Sequence, residues 1–380
     1  MDMKLEQNDH IVFAGGGTAG HLFPGLAVAE QLLRFAPGMR ITFVGTGKPF
    51  ETRYVKRAGF DYVALPCQPF PRKAREALRF LTDNFAGYYV ARKFLREQGV
   101  SLVVGLGGYA SVPAARAAAR LSIPQLLLEQ NAVPGRATRW LAPTAAVVCS
   151  AFEGIRPYLR ATCRVRVTGN PLRREFIDGR FTTRELPDRL GGRRTLVVLG
   201  GSGGAQTLNE RAPLALYKAG AALGGWQIVH QTGERDLTRT SELYRKLGIK
   251  ANVVPFIENM PLVLRSSQLA VSRAGGTTLA ELAASGVPAI LLPYPHATDD
   301  HQRMNANLFA EAGAAKTLDE REIVGRLDNH LANAVAELAA AHRVRVQMAH
   351  AMTRLARPEA TRSVVRSIGA LLKSAEVAAV

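Results

Sequence analysis

The segment Val12-Phe13-Ala14-Gly15-Gly16-Gly17-Thr18-Ala19-Gly20 decides the fold, together with its counterpart Val197-Val198-Leu199-Gly200-Gly201-Ser202-Gly203-Gly204. Each is a short apolar run that ends in glycines and leads into a helical pattern. A strand that turns through glycine into a helix is the opening of a βαβ unit. The same alternation continues outward from both. In the first half the predicted strands are His10–Ala14, Arg40–Gly45, Tyr62–Pro66, Leu102–Leu106, Gln125–Leu128, Ala145–Ser150 and Arg164–Thr168. In the second they are Thr195–Leu199, Gln227–His230, Asn252–Phe256, Leu269–Ser272 and Ala289–Leu292. Helical patterns lie between them, such as Pro24–Phe35, which opens on Pro24 at an N1 position and keeps Leu26, Ala29 and Leu33 on one face. The fold class is therefore α/β, with two doubly wound parallel sheets.

A polar stretch, 173–194, interrupts the rhythm with Asp178-Gly179 and Gly191-Gly192. It reads as a linker between domains over 1–172 and 195–355. From about Glu322 the chain is Ala-, Leu- and Arg-rich and helical, and Pro358 separates a last helix within 356–380. Ligands of open parallel sheets sit beyond the carboxyl ends of the strands, where both glycine turns fall.

The 380 residues carry 49 Lys plus Arg against 31 Asp plus Glu, a formal charge of +18. With 47% hydrophobic residues there is material for two cores, which excludes disordered and disulfide-scaffold classes. Cys67, Cys149 and Cys163 show no paired spacing, so neither a disulfide framework nor a zinc site is expected. No apolar stretch reaches the ~18 residues of a membrane span. The positive charge calls for an anionic partner: nucleic acid, a membrane surface or a phosphorylated substrate.

Gly15, Gly17 and Gly20 satisfy G-x-G-x-x-G, but the acidic residue of a dinucleotide site is missing: the second strand ends Val44-Gly45-Thr46-Gly47-Lys48, and no carboxylate comes before Glu51. A Walker A loop is matched nowhere. His21 follows the first loop and is either a packing or capping residue or a catalytic imidazole. Ser272-Arg273-Ala274-Gly275-Gly276-Thr277-Thr278-Leu279-Ala280-Glu281 again runs from strand through glycine into helix. Its amides and hydroxyls suit a phosphate, and Glu281 is placed either for ribose hydroxyls or simply to favour the helix dipole. His296, Asp299, Asp300 and His301 only superficially resemble metal ligands, and no metal is expected.

Taken together, seven segments resemble the MurG family, undecaprenyldiphospho-muramoylpentapeptide β-N-acetylglucosaminyltransferases of bacterial peptidoglycan synthesis. They are Gly16–Ala27, Gly107-Gly108-Tyr109, Glu129-Gln130-Asn131, Gly169–Arg173, Gly200–Ala205, Ser272–Glu281, and Asp300-His301-Gln302 with Asn305. The resemblance implies a GT-B fold, two Rossmann-like domains facing across a cleft, with the C-terminal helix packing back on the N-terminal domain. It implies inverting transfer of N-acetylglucosamine from UDP-N-acetylglucosamine to the muramoyl 4-hydroxyl of lipid I, without cofactor or metal, in cell-wall biogenesis, cell shape and division. Carried over by position, Thr18, Ala19, Gly20, Asn131 and Gln302 contact the donor near its sugar. Arg173 and Ser202 are expected at the diphosphate, Ile257 at the uracil through its backbone, and Gly276, Thr277, Thr278, Leu279, Ala280 and Glu281 around the α-phosphate and ribose. The base is His21 or Glu129. Ala19 stands where glycine is commoner in the family, and Leu128 where a His often precedes Glu-Gln-Asn.

Between Phe70 and Gln98, basic residues accompany an apolar helical face of Leu78, Leu81, Phe85 and Tyr88. By periodicity this face packs on the sheet. A lipid-linked acceptor favours instead a peripheral contact with an anionic membrane through Arg72, Lys73, Arg75, Leu78, Arg79, Leu81 and Phe85, on the cytoplasmic face of the bacterial plasma membrane. Two other readings are a UDP-sugar transferase with a different lipid or small-molecule acceptor, and a basic nucleic-acid-binding protein. Aromatics at 7% and the lack of a recognised module count against nucleic acid.

Overall fold

The computed structural model describes residues 9–71, 73–177, 194–323 and 325–379. Two compact units divide the chain: Met1–Arg173 with Pro358–Val380, and Arg174–Arg357.

The first unit is built on strands β1 His10–Ala14, β2 Arg40–Gly45, β3 Asp61–Ala64, β4 Leu102–Gly105, β5 Gln125–Glu129, β6 Val147–Ser150 and β7 Val165–Val167. They form one parallel sheet in the order β3-β2-β1-β4-β5-β6-β7. The central strands β1 and β4 are buried at every residue, as continuous apolar runs must be when helices cover both faces. The edge strand β3 is half-exposed. Its helices are α1 Ala19–Phe35, α2 Pro49–Arg57, α3 Ala77–Glu97, α4 Val112–Arg120 and α5 Arg136–Leu141. One face packs Val12, Ala14, Val44 and Val103 under Ala91 and Leu95 of α3 and Ala114, Ala117 and Ala118 of α4.

Helix α1 starts at Ala19, not at Pro24, so Pro24 lies inside the helix rather than at its first position. Thr18 is the extended N-cap, and the first turn is Ala19-Gly20-His21-Leu22. Proline forfeits a single backbone hydrogen bond there, and the burial of Leu22, Phe23, Leu26 and Val28 outweighs it. His21 therefore belongs to the helix and not to the loop.

The second unit holds α6 Arg174–Ile177, then β8 Arg194–Leu199, β9 Trp226–Gln231, β10 Ala251–Val254, β11 Ser267–Ser272, β12 Ala289–Leu291 and β13 Ala315–Thr317. Their parallel order is β10-β9-β8-β11-β12-β13. Strand β13 is too short and polar, Ala-Lys-Thr, to stand out from the sequence; it forms because β12 offers an edge. Helices α7 Gln206–Ala219, α8 Leu237–Lys246, α9 Met260–Arg265, α10 Gly276–Ser285, α11 His301–Glu311, α12 Leu327–Ala340 and α13 His342–Leu355 complete it. Its core joins Leu196, Val198, Leu269, Val271 and Ile290 to Leu208, Leu216, Leu331 and Val335.

Helix α14, Ala360–Ala379, returns to the first unit and packs on α1. It buries Val364, Val365, Ile368 and Leu372. Thr361 Oγ1 both accepts from Leu172 N–H at 3.2 Å and donates to Leu172 O at 3.1 Å. Of the stretch 173–194 expected to link the domains, residues 178–193 lie outside the described residues. Each sheet reverses its winding next to its first strand, between β1 and β4 and between β8 and β11. The two glycine turns follow β1 and β8, at the positions where such sheets bind ligands.

Candidate functional site

In the first unit, β1 runs into Gly15–Gly17 and the neighbouring β4 into Leu106–Gly108. His21 stands on the first turn of α1, with its Nδ1 3.1 Å from Thr18 Oγ1. The imidazole lies against the second turn. A Cβ on Gly107, whose φ is 93°, would come within 3.1 Å of His21 Cδ2 and 3.4 Å of Nε2. Glycine there lets the ring and the backbone approach. In the tautomer that donates Nδ1–H to the threonine hydroxyl, Nε2 carries the basic lone pair.

Glu129, at the end of β5, is buried. Its Oε1 accepts from Asn131 N–H at 3.0 Å and Asn131 Nδ2 at 3.2 Å, and its Oε2 from Gly135 N–H at 3.0 Å. The carboxylate thereby folds the 130–135 loop around itself and orients Asn131. Arg173 sets its guanidinium 4.7 Å from the centre of the Phe23 ring on α1.

In the sequence Glu51 is only a carboxylate in the wrong place for a dinucleotide site. In the structure it is completely buried beneath the first glycine loop. It accepts from Gly17 N–H at 2.6 Å, Thr46 N–H and Oγ1 each at 2.7 Å, and Tyr62 Oη at 2.5 Å. A Cβ on Gly16 would fall 2.9 Å from Glu51 Cδ, which is why the loop needs glycine there. Burial, and then the hydrogen bond to Glu51, push the Tyr62 hydroxyl well above its ordinary pKa, so it stays a donor. A spacing of 34 residues separates Glu51 from Gly17, and no local pattern could have revealed the pair.

In the second unit, Ser202 follows β8 and Gly276 opens α10. Gly275 is the N-cap, contributes no side-chain cap and leaves the first turn without acidic residues. The amides of such a terminus favour an anion. Thr277 and Glu281 are buried, and Thr278, Leu279 and Ala280 continue the same helix. Ile257 is buried with its N–H donated to Gln231 Oε1 at 2.8 Å, while Gln231 Nε2 donates to Gly201 O at 2.9 Å. Gln231 thus ties the 201 turn to the 257 segment, a second link that sequence spacing did not show. Gln302, on the first turn of α11, accepts from Tyr294 N–H at 3.0 Å.

The residues that superficially resembled metal ligands have other roles: Asp300 pairs with Arg321, and His301 Nδ1 meets Thr298 O at 2.8 Å. Among the described residues no group of three or more His, Cys, Asp or Glu side chains converges.

The outward side of α3 is apolar. Leu78, Leu81 and Phe85 are 73%, 62% and 65% exposed, and Phe70 and Tyr89 join them. The packed side is instead Gly87, Ala91 and Leu95. The expectation that Leu78, Leu81 and Phe85 pack on the sheet is therefore overturned, and of that face only Tyr88 packs inward. Lys73, Arg75 and Arg79 are exposed beside them, and Arg72 lies outside the described residues. Among the described residues no helix is long and apolar enough to cross a membrane.

The family model described as the glycosyltransferase family 28 N-terminal domain matches residues 11–150, and that of the C-terminal domain matches residues 195–362. The two Rossmann-like units are thus those of a GT-B glycosyltransferase. A UDP-N-acetylglucosamine–N-acetylmuramyl-(pentapeptide) pyrophosphoryl-undecaprenol N-acetylglucosamine transferase of Geobacter sulfurreducens is 38% identical over 96% of this chain and 100% of its own length. The enzyme of the same name from Carboxydothermus hydrogenoformans is 40% identical over 82% of this chain and 85% of its own. The crystal structure of Acinetobacter baumannii MurG superposes with a TM-score of 0.70 at 31% identity, covering 95% of this chain and 99% of that one. The chain belongs to the MurG family.

Proposed function

We propose that the protein transfers N-acetylglucosamine from UDP-N-acetylglucosamine to the muramoyl 4-hydroxyl of lipid I, giving lipid II with inversion at the anomeric carbon. The observation that carries this reading is the His21 imidazole, held at Nδ1 by Thr18 where the first sheet reverses its winding, in a chain that aligns over 96% of its length with a relative bearing that activity's name.

The acceptor hydroxyl gives its proton to His21 Nε2 as its oxygen forms the bond to the anomeric carbon. The bond from that carbon to the UDP oxygen breaks on the opposite side, and the electron pair leaves with the diphosphate. The departing charge is met by the α10 amides at Gly276–Thr278, by Ser202 and by Arg173. Glu281 serves the ribose, Ile257 the uracil, and Thr18, Ala19, Gly20, Asn131 and Gln302 the sugar end. Three N–H groups already converge on the Glu129 carboxylate and occupy both of its oxygens, so Glu129 positions Asn131 while His21 takes the proton.

The exposed face of α3, with Lys73, Arg75 and Arg79 beside Leu78, Leu81 and Phe85, lies on an anionic membrane surface and meets the lipid-linked acceptor there. This makes the enzyme peripheral to the cytoplasmic leaflet. The test of the assignment is transfer of labelled N-acetylglucosamine to a lipid I analogue by the wild type, His21→Ala and Glu129→Gln. No transfer by the wild type overturns the activity, and near-normal transfer by His21→Ala overturns its role as base.

A further inference from the structure

The segment between β12 and α11 is held by two arginines, Arg273 and Arg321, whose other carboxylate partners, Glu320 and Asp319, follow β13. Arg273, at the end of β11, donates to Leu292 O at 3.0 Å and Pro293 O at 3.3 Å, and it pairs with Glu320. Arg321, next in the chain, donates through Nη1 to both carboxylate oxygens of Asp300, at 3.0 and 3.2 Å. It also grips Asp319 through Nη2 at 2.9 Å and Nε at 3.2 Å. That hydrogen bonding holds the Asp319 carboxyl below the usual carboxylate range.

Asp299 and Asp300 are both left-handed, with φ of 53° and 54°. Two successive non-glycine residues in that region persist only when their surroundings hold them. The guanidinium fork is suited to that task because it binds two carboxylates in fixed directions, as an ammonium cannot. Arg303 Nε, 4.0 Å from the same Asp300 carboxylate, is too distant to replace it. Two residues beyond Asp300 stands Gln302, hydrogen-bonded back to Tyr294 at the start of the loop. The direction in which α11 leaves the left-handed pair therefore sets where the Gln302 amide points.

We infer that Arg321 is a positioning residue for the donor sugar, acting through Asp300 on Gln302. The inference rests on the proposed contact of Gln302 with the sugar. An isolated exposed ion pair would contribute little, whereas a bidentate pair within a three-residue network is the case in which geometry is retained.

The experiment is steady-state transfer to a lipid I analogue, with varied UDP-N-acetylglucosamine, by Arg321→Ala, Asp300→Asn, their double variant and Gln302→Ala. UDP, which lacks the sugar, serves as a competitive inhibitor. The expected result for Arg321→Ala is a KM for the sugar nucleotide raised roughly 3- to 10-fold with the UDP inhibition constant unchanged, and a double variant no worse than either single one. An unchanged KM in Arg321→Ala, with a raised KM in Gln302→Ala, overturns the inference. So does a UDP constant that weakens in step with KM, because the whole unit has then loosened. An unchanged KM in Gln302→Ala overturns instead the sugar contact on which the inference rests.

Discussion

At His21 the decisive quantity is proton transfer. Replacing the imidazole by alanine removes the base, and the expected loss in kcat is about 10²- to 10⁴-fold with UDP binding retained, as measured by transfer and by UDP titration. Glu51 acts one layer deeper. Changing it to glutamine keeps its size but turns an amide NH₂ toward N–H and O–H donors, leaving buried groups unsatisfied at about 1–3 kcal/mol. The expected outcome is a lower unfolding midpoint together with weaker transfer, since the same carboxylate fixes Gly17 just before Thr18 and His21. His21 was legible because it follows a strand and a glycine run. Glu51 was not, because its importance comes from what folds over it.

Among the elements, α3 departs furthest from its sequence pattern. Leu78, Leu81 and Phe85 are spaced as a buried stripe would be, yet small residues on the other side, Gly87 and Ala91, make the contact with the unit's core. Small residues permit close helix approach, and hydrophobicity alone does not say which apolar stripe will be the one covered. Changing Lys73, Arg75 and Arg79 to Gln should weaken binding to anionic vesicles at low salt. At about 1 kcal/mol for each basic residue near the surface, the loss is up to roughly 100-fold. Changing Leu81 and Phe85 to Ser should weaken binding at low and high salt alike, because apolar insertion is not screened. Unaltered vesicle binding by both sets places the contact elsewhere. Helix α1 shows the opposite limit: Pro24 read as a start signal, but the apolar face reaches back past it to Leu22.

For the molecule as a whole, chain order and unit membership differ. The last helix belongs to the first unit, and its Val364, Val365, Ile368 and Leu372 each contribute about 1.5–3 kcal/mol by burial, a sum comparable to the 5–15 kcal/mol stability of a domain. Truncation after Arg357 is therefore expected to leave the first unit protease-sensitive and the protein inactive, as limited proteolysis would show. Acid sensitivity has a distinct origin in the second unit. His230 is fully buried between Tyr244 Oη at 3.0 Å and Asn209 Oδ1 at 3.1 Å, and burial lowers its pKa from 6.5 to about 3. The folded state holds this ring neutral while the unfolded state takes up a proton, so its contribution is intact above pH 6.5 and is lost as pH falls toward 3. The slope is about 1.4 kcal/mol per pH unit in that window. His230→Gln, if it folds, should flatten this part of the pH–stability curve measured by urea unfolding.

The two βαβ sheets and the places where their strands give way to ligand loops are legible in the amino-acid sequence, because apolar patterning and glycine turns are local signals, and the family is legible through its seven motif segments. Most strand ends were legible to within one or two residues for the same reason. What lies under and beside those loops came from the three-dimensional structure alone: Glu51 beneath Gly16–Gly17, Gln231 between residues 201 and 257, and Arg321 on Asp300. Each joins residues far apart in the chain, and a hydrogen bond or a buried contact of that kind has no period for a sequence to display.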